Sequence, residues 1–226
     1  LQVMPAYTDN PLSLCFSPDG RLLACSNSDM NVKIYDADTG RCLHTLYGYG
    51  GSVVSTHFHP DGNVLATGST DQTVRLWDPH TGQCLQTLYG YADWLISVCF
   101  SPDGSLLASG GLHQAVRLWD SHTGACQLTL YGHTSWVWCV CFSPNSSIVA
   151  SGCGDATVRL WDRHTGTCLR ILEVHATDVM SVCFSPDGSV LATASMDNKV
   201  RLWDPRTGRC LQVLAEHTAG VRSVCF

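Results

Sequence analysis

Short apolar runs of about five or six residues punctuate the whole chain, separated by Gly, Pro, Asn, Asp and Ser. The stretch 133–174 displays the unit. Val137 to Phe142 is rich in β-branched, aromatic and Cys residues and ends at Ser-Pro-Asn-Ser. Ser147 to Gly152 is a second apolar run. Thr157 to Trp161 alternates, with Val158 and Leu160 on one face and Arg159 and Trp161 on the other. Thr167 to Leu172 follows an Asp-x-x-Thr-Gly turn. This pattern predicts four short strands in an antiparallel meander. No window sustains a helical period, so helices are not expected.

The unit recurs in strict register. An apolar run closes on Phe16, Phe58, Phe100, Phe142, Phe184 and Phe226. An aromatic–Asp pair falls at Tyr35-Asp36, Trp77-Asp78, Trp119-Asp120, Trp161-Asp162 and Trp203-Asp204. Both series advance by 42 residues without insertion or deletion. Self-similarity at such a period is the signature of a repeat architecture. The turns repeat as well. Ser-Pro-Asp-Gly at 17–20, 101–104 and 185–188 combines the fixed φ of proline with a Gly free to take positive φ. His59-Pro60-Asp61-Gly62 is a variant. Ser143-Pro144-Asn145-Ser146 lacks the Gly, so a turn of another type is expected there. Asn145-Ser146-Ser147, formally a glycosylation sequon, is read as turn chemistry.

Composition narrows the possibilities. With 226 residues and 45% apolar content, the chain can bury a sizeable core. Net charge is −6 and the only lysines are Lys33 and Lys199, so there is no broad cationic footprint and no nucleic-acid partner is expected. No apolar stretch approaches the length of a membrane-spanning helix. Ten of the 13 cysteines occupy two repeat positions: Cys15, Cys99, Cys141, Cys183 and Cys225 before the Phe, and Cys42, Cys84, Cys126, Cys168 and Cys210 after the Thr-Gly-x turn. Equivalent positions lie a whole repeat apart, too far for bridging. They are read as reduced, core-packing side chains, which implies a reducing compartment, cytoplasmic and conceivably nuclear. Cys25, Cys139 and Cys153 form no C-x-x-C pair, and no metal site or cofactor is expected.

The Trp-Asp endings, the Gly132-His133 start and the Ser-Pro-Asp-Gly turns, all in register, resemble the WD-repeat (WD40) β-propellers along the whole chain. The resemblance implies an all-β propeller with five complete four-stranded blades, near 7–48, 49–90, 91–132, 133–174 and 175–216. Leu1-Gln2-Val3-Met4 aligns with the outermost strand Leu211-Gln212-Val213-Leu214, and Val221 to Phe226 with an innermost strand. Residues 1–6 and 217–226 would thus supply the last and first strands of another blade. Family rings usually have about seven blades, so 1–226 is expected to be a single array belonging to a larger ring, with a closed five-blade ring as the alternative.

In the family, a polar tetrad pins each blade. It maps here to His133, Ser151, Asp155 and Trp161, and to His175, Thr193, Asp197 and Trp203. The indole N–H would donate to the hydroxyl, the hydroxyl to one imidazole nitrogen, and the other nitrogen to the carboxylate. A Ser, His and Asp in one network also invite a hydrolase reading. A nucleophile is not normally copied at every repeat, so no catalytic residue is assigned and the chain is not read as an enzyme. Tyr7, Tyr49 and Tyr91 stand at the His position, Cys25 and Tyr35 at the hydroxyl and Trp positions of the first blade, and His113 at the Asp position of the third. The first three blades are therefore expected to lack the full network. His80, His122 and His164 recur in turns and are read as solvated.

Family propellers commonly bind partners on the face formed by the loops entering each innermost strand. Three positions per repeat map there. The first series is Asn10, Ser52, Trp94, Trp136, Asp178 and Gly220. The second is Leu12, Val54, Ile96, Trp138, Met180 and Arg222. The third is Ser28, Thr70, Leu112, Gly154 and Met196. Large side chains gather in blades three to five, so Trp94, Ile96, Leu112, Trp136, Trp138, Asp178, Met180, Met196 and Arg222 are the candidate partner-binding residues. The expected role is a non-catalytic scaffold within a multiprotein complex, binding a protein or peptide. One alternative is a substrate receptor of a cullin-type ubiquitin ligase, since Leu202-Trp203-Asp204-Pro205-Arg206 resembles the adaptor-docking box. Another is the sensor portion of a larger signalling protein.

Overall fold

The computed structural model describes residues 11–90, 92–173 and 175–226. Tyr7, Asn10, Tyr91 and the strand expected at 1–6 lie outside the described residues. Twenty strands form five four-stranded antiparallel sheets, and no helix occurs among the described residues. The chain divides into two compact units, residues 1–100 and 101–226.

The first unit holds two complete sheets. One is β1 (Pro11–Phe16), β2 (Leu22–Asn27), β3 (Val32–Asp36) and β4 (Cys42–Leu46); the other is β5 (Val53–Phe58), β6 (Leu65–Ser69), β7 (Val74–Trp77) and β8 (Cys84–Leu88). β9 (Leu95–Phe100) ends the unit. Its core contains Ile34, Leu46, Tyr49, Val53, Phe58, Leu65 and Trp77. Neighbouring sheets are also tied at their inner strands, because Ser13 Oγ accepts from Thr56 N (3.0 Å) and Ser55 Oγ from Val98 N (3.0 Å).

The second unit opens with β10 (Leu106–Gly111), β11 (Ala115–Asp120) and β12 (Cys126–Tyr131). Two complete sheets follow: β13 (Val137–Phe142), β14 (Ile148–Cys153), β15 (Thr157–Asp162) and β16 (Cys168–Glu173), then β17 (Val179–Phe184), β18 (Leu191–Ser195), β19 (Val200–Trp203) and β20 (Cys210–Leu214). Burial is greatest on the second strand of each sheet and low on the outermost. β18 is wholly buried, whereas β16 buries only Leu172. The second strands are therefore built from small residues. A Cβ on Gly152 would lie 2.6 Å from Cys139 Sγ and 2.9 Å from Val179 Cγ1, so the adjoining sheets meet there only because the side chain is missing.

Two expectations are corrected. Ser143-Pro144-Asn145-Ser146 makes the same turn as its Gly-containing counterparts. Ser146 N donates to Ser143 O at 2.8 Å, as Gly20 N does to Ser17 O at 2.9 Å, and Ser146 takes a φ of 60°. Hydrogen bonds from Asp103 N and Arg163 to Ser146 hold it in this strained conformation. The strand expected to pair with Val221–Phe226, at 1–6, lies outside the described residues. Val221–Phe226 is fixed to the fifth sheet through Val221 N→Ser195 O (3.0 Å) and Val224 N→Ser181 Oγ (3.2 Å). Second, all thirteen cysteines are free thiols, yet Cys42, Cys84, Cys126 and Cys168 are exposed rather than core-packing. They lie on outermost strands, where no further layer covers them. Each thiol donates to the carbonyl two residues on, as Cys42 does to His44 O at 3.4 Å.

The hairpin between the second and third strands of each sheet carries one left-handed residue: Met30, Gln72, Gln114, Ala156 and Asn198. None is Gly. Ala156, at φ 64°, has no side-chain group to offset the strain. Ala156→Gly should therefore raise stability by about 0.5–1 kcal/mol, the left-handed penalty less the entropy that Gly adds to the unfolded chain. Urea unfolding measures it, and a loss of stability would contradict the turn geometry.

Candidate functional site

Each tetrad joins a hydroxyl and a Trp on two facing strands to a His and an Asp on the loops at their ends. In the fourth sheet Trp161 Nε1 donates to Ser151 Oγ (2.8 Å), Ser151 Oγ lies 2.7 Å from His133 Nε2, and His133 Nδ1 lies 2.9 Å from Asp155 Oδ2. Thr134 N also donates to Asp155. Burial opposes ionisation of Asp155, but these donors hold its carboxyl well below the usual carboxylate range. Ser151 is fully buried and its oxygen takes the indole proton, so it is a structural hydroxyl and not a placed nucleophile. His133, Cys153 and Asp155 bring ligand-type atoms within 4.8 Å of one another. His133 is engaged by Asp155, Cys153 Sγ accepts from Asp155 N (3.3 Å), and burial pushes the Cys153 thiol up to about 12.

The fifth sheet departs from the expected proton order. Arg201 Nη1 lies 2.8 Å from Asp197 Oδ2 and 2.6 Å from His175 Nδ1, which is itself farther, 3.1 Å, from Asp197 Oδ2. A guanidinium can only donate, so His175 Nδ1 accepts. The ring proton then sits on Nε2 and is donated to Thr193 Oγ1 (2.7 Å), which also accepts from Trp203 Nε1 (2.9 Å). Thr193 is left to donate to Arg201 O (3.5 Å). The relay is thus reversed relative to the fourth sheet, where Arg159 turns away to Cys168 Sγ and lies 5.8 Å from the Trp161 ring centre.

The second sheet is pinned differently. Tyr49 replaces His, and its hydroxyl donates to Thr67 Oγ1 (3.0 Å), which accepts from Trp77 Nε1 (3.1 Å). Arg75 bridges the remaining gap, bonding Asp71 Oδ2 (2.8 Å) while its guanidinium lies 4.7 Å from the Tyr49 ring centre. Asp71 is thus engaged by an arginine where the fourth sheet uses a histidine. Trp119 Nε1 donates to Ser109 Oγ (2.8 Å) in the third repeat.

Burial foremost, with the Arg201 charge, lowers the His175 pKa from the ordinary 6.5 against the pull of Asp197. Burial opposes ionisation of Asp197, but Arg201 foremost and Ala176 N hold it down at about 2. The unfolded chain therefore binds the histidine proton first. The His175 contribution is complete above pH 6.5 and falls as pH drops below it. The Asp197 contribution is present above the ordinary 3.8 and is lost as pH falls toward 2. Thermal unfolding between pH 8 and 3 should show Tm declining already below pH 6.5. A Tm that rises there would contradict this arrangement.

The candidate partner-binding residues lie as follows in each unit. In the first unit Trp94 precedes β9 and is 53% exposed, and Ile96 is half-buried within that strand. In the second unit Trp136 and Asp178 precede β13 and β17, Trp138 and Met180 are the second residues of those strands, and Leu112 and Met196 follow β10 and β18. Backbone bonds Gly154 N→Trp136 O (2.9 Å) and Met196 N→Asp178 O (3.0 Å) bring the first and third series together. Trp136 (47% exposed) meets Trp138 edge to face, ring centres 5.5 Å apart at 76°. Met196 is 39% exposed and Arg222 is exposed. His80, His122 and His164 are exposed on separate turns, as is Arg206.

A family model described as "WD domain, G-beta repeat" matches residues 1–36, 40–78, 82–120, 124–162 and 166–204, each segment ending on the aromatic–Asp pair. The chain belongs to the WD40 family. Comparison with curated proteins found no match. WD40 repeats in general make non-catalytic scaffolds for protein–protein interaction. The five sheets are its WD40 blades, and the tetrads are the pins of those blades.

Proposed function

We propose that this WD40 chain binds a protein or peptide partner through the face carrying Trp136, Trp138, Asp178, Met180 and Met196, as a scaffold subunit of a larger complex in a reducing compartment. One observation carries the reading: the side chains that depart from the repeat are large, apolar and half-exposed, and they converge on one face of the fourth and fifth blades. Isolated exposed apolar residues need no explanation, whereas a cluster of two Trp and two Met does. Trp94 and Ile96 extend the same repeat positions into the first unit. The absence of a cationic surface argues for a polypeptide and against nucleic acid. The test is to capture a partner, identify it, purify it and measure its binding to a Trp136→Ala/Trp138→Ala variant. Loss of affinity with unchanged folding supports the reading, and unchanged affinity removes it.

A further inference from the structure

Within that face, Gly154 marks a place found once in the repeat. A Cβ added there would lie 2.9 Å from Ser135 Oγ, 3.3 Å from Trp138 Nε1 and 3.5 Å from Asp178 Oδ1. Three polar groups thus converge over the Gly154 Cα. The Trp138 indole N–H has no hydrogen-bond partner and almost no contact with solvent. Buried donors are nearly always satisfied, so an orphan on an interaction face points to an absent acceptor. The other repeats do not reproduce the niche. Ser28, Thr70, Leu112 and Met196 fill the Gly154 position, and Leu12, Val54, Ile96 and Met180 at the Trp138 position carry no N–H. In the fifth blade the Met196 side chain occupies the equivalent space, 2.6 Å from where a Gly220 Cβ would stand.

The chemistry of these groups selects the occupant. It must offer an acceptor to the Trp138 N–H and a donor to the Asp178 carboxylate. An ammonium or guanidinium has donors only and leaves the indole unsatisfied. A carboxylate satisfies the indole but faces the Asp178 charge. A primary carboxamide carries acceptor and donor side by side on one flat group. We infer that the niche over Gly154 takes the carboxamide of a Gln or Asn side chain on the partner peptide. This rests on the reading of the face given above. Entry requires the Ser135 hydroxyl, the nearest of the three groups, to turn aside. The bond Gly154 N→Trp136 O keeps Trp136 beside the niche, where its exposed ring can cover the bound amide.

The test uses the whole chain and small probes. The Trp138 indole resonance, assigned with Trp138→Phe, is followed by ¹H–¹⁵N NMR during titration with propionamide, n-butylammonium or propionate. Propionamide should shift it saturably, and the two ions should not. Gly154→Ala, whose new methyl occupies the niche, should abolish the shift. Asp178→Ala should weaken it about tenfold, the loss of one charge-assisted hydrogen bond. No saturable shift with propionamide, an equal shift with butylammonium, or a shift that survives Gly154→Ala would overturn the inference. If propionamide fails while Trp136→Ala/Trp138→Ala still loses the partner, the niche alone is wrong. If propionamide binds while that variant keeps full affinity, the niche stands and the broader reading falls.

Discussion

Arg201→Ala should destabilise the protein by about 2–3 kcal/mol, whereas Arg159→Ala, at the equivalent position one blade earlier, should cost about 1 kcal/mol or less. The two arginines share a repeat position and a sequence context, Val-Arg-Leu-Trp-Asp. Their environments differ. Arg201 and Asp197 are nearly buried, with side chains 6% and 5% exposed, and they are 2.8 Å apart. Removing one partner of such a pair leaves a buried charge uncompensated, which costs about 3–5 kcal/mol in general. The loss here should fall below that range, because His175 can respond. Without the guanidinium, its Nδ1 is free to carry a proton and donate to Asp197, as the fourth blade already arranges for His133 and Asp155. Removing the Arg201 charge also removes one of the influences lowering the His175 pKa, so its titration midpoint should rise in the variant. Urea unfolding together with the His175 ring titration checks both parts. Equal losses for the two arginines, or an unmoved His175 midpoint, would contradict the reversed relay.

The second large effect concerns binding. Trp136→Ala/Trp138→Ala should weaken an identified partner by at least about 2 kcal/mol, roughly 30-fold, as expected where Trp side chains anchor an interface. Folding should survive, because Trp136 is half-exposed and Trp138 is only partly buried. Neither belongs to a tetrad. The core of the second unit rests instead on side chains such as Leu160, Val179, Leu191 and Trp203. The two rings contact each other edge to face.

Much of the fold was legible because blade-building residues must repeat. The innermost strand of the fourth blade has the bounds its apolar run implies, Val137–Phe142. The tetrad partners were legible from residue type and spacing. The roles of Arg75 and Arg201 were not, because an arginine that alternates with apolar residues reads as solvated. A signal existed: Arg and Trp sit two apart on one strand face, the face carrying the tetrad, so the guanidinium was within reach of it. What spacing cannot give is the rotamer that sends Arg201 inward and Arg159 outward. The exposed cysteines were misread for a related reason. Their periodicity was plain, but only the layer order says that an outermost strand has nothing beyond it. Ser146 was misread because local propensity favours Gly at positive φ, while bonds from Asp103 and Arg163 override that preference. The niche over Gly154 was invisible in sequence, since its three groups come from separate loops and strands.

The central claim is that binding resides in the side chains that break the repeat. The direct measurement is isothermal titration of one purified partner against two variants of the whole chain. Trp136→Ala/Trp138→Ala alters the non-repeating face. Leu169→Ala/Ile171→Ala removes apolar side chains of similar exposure, 49% and 43%, from the outermost strand β16. The account predicts an affinity loss of about 30-fold or more for the first and little change for the second. Full affinity in the first, or the larger loss in the second, would contradict it.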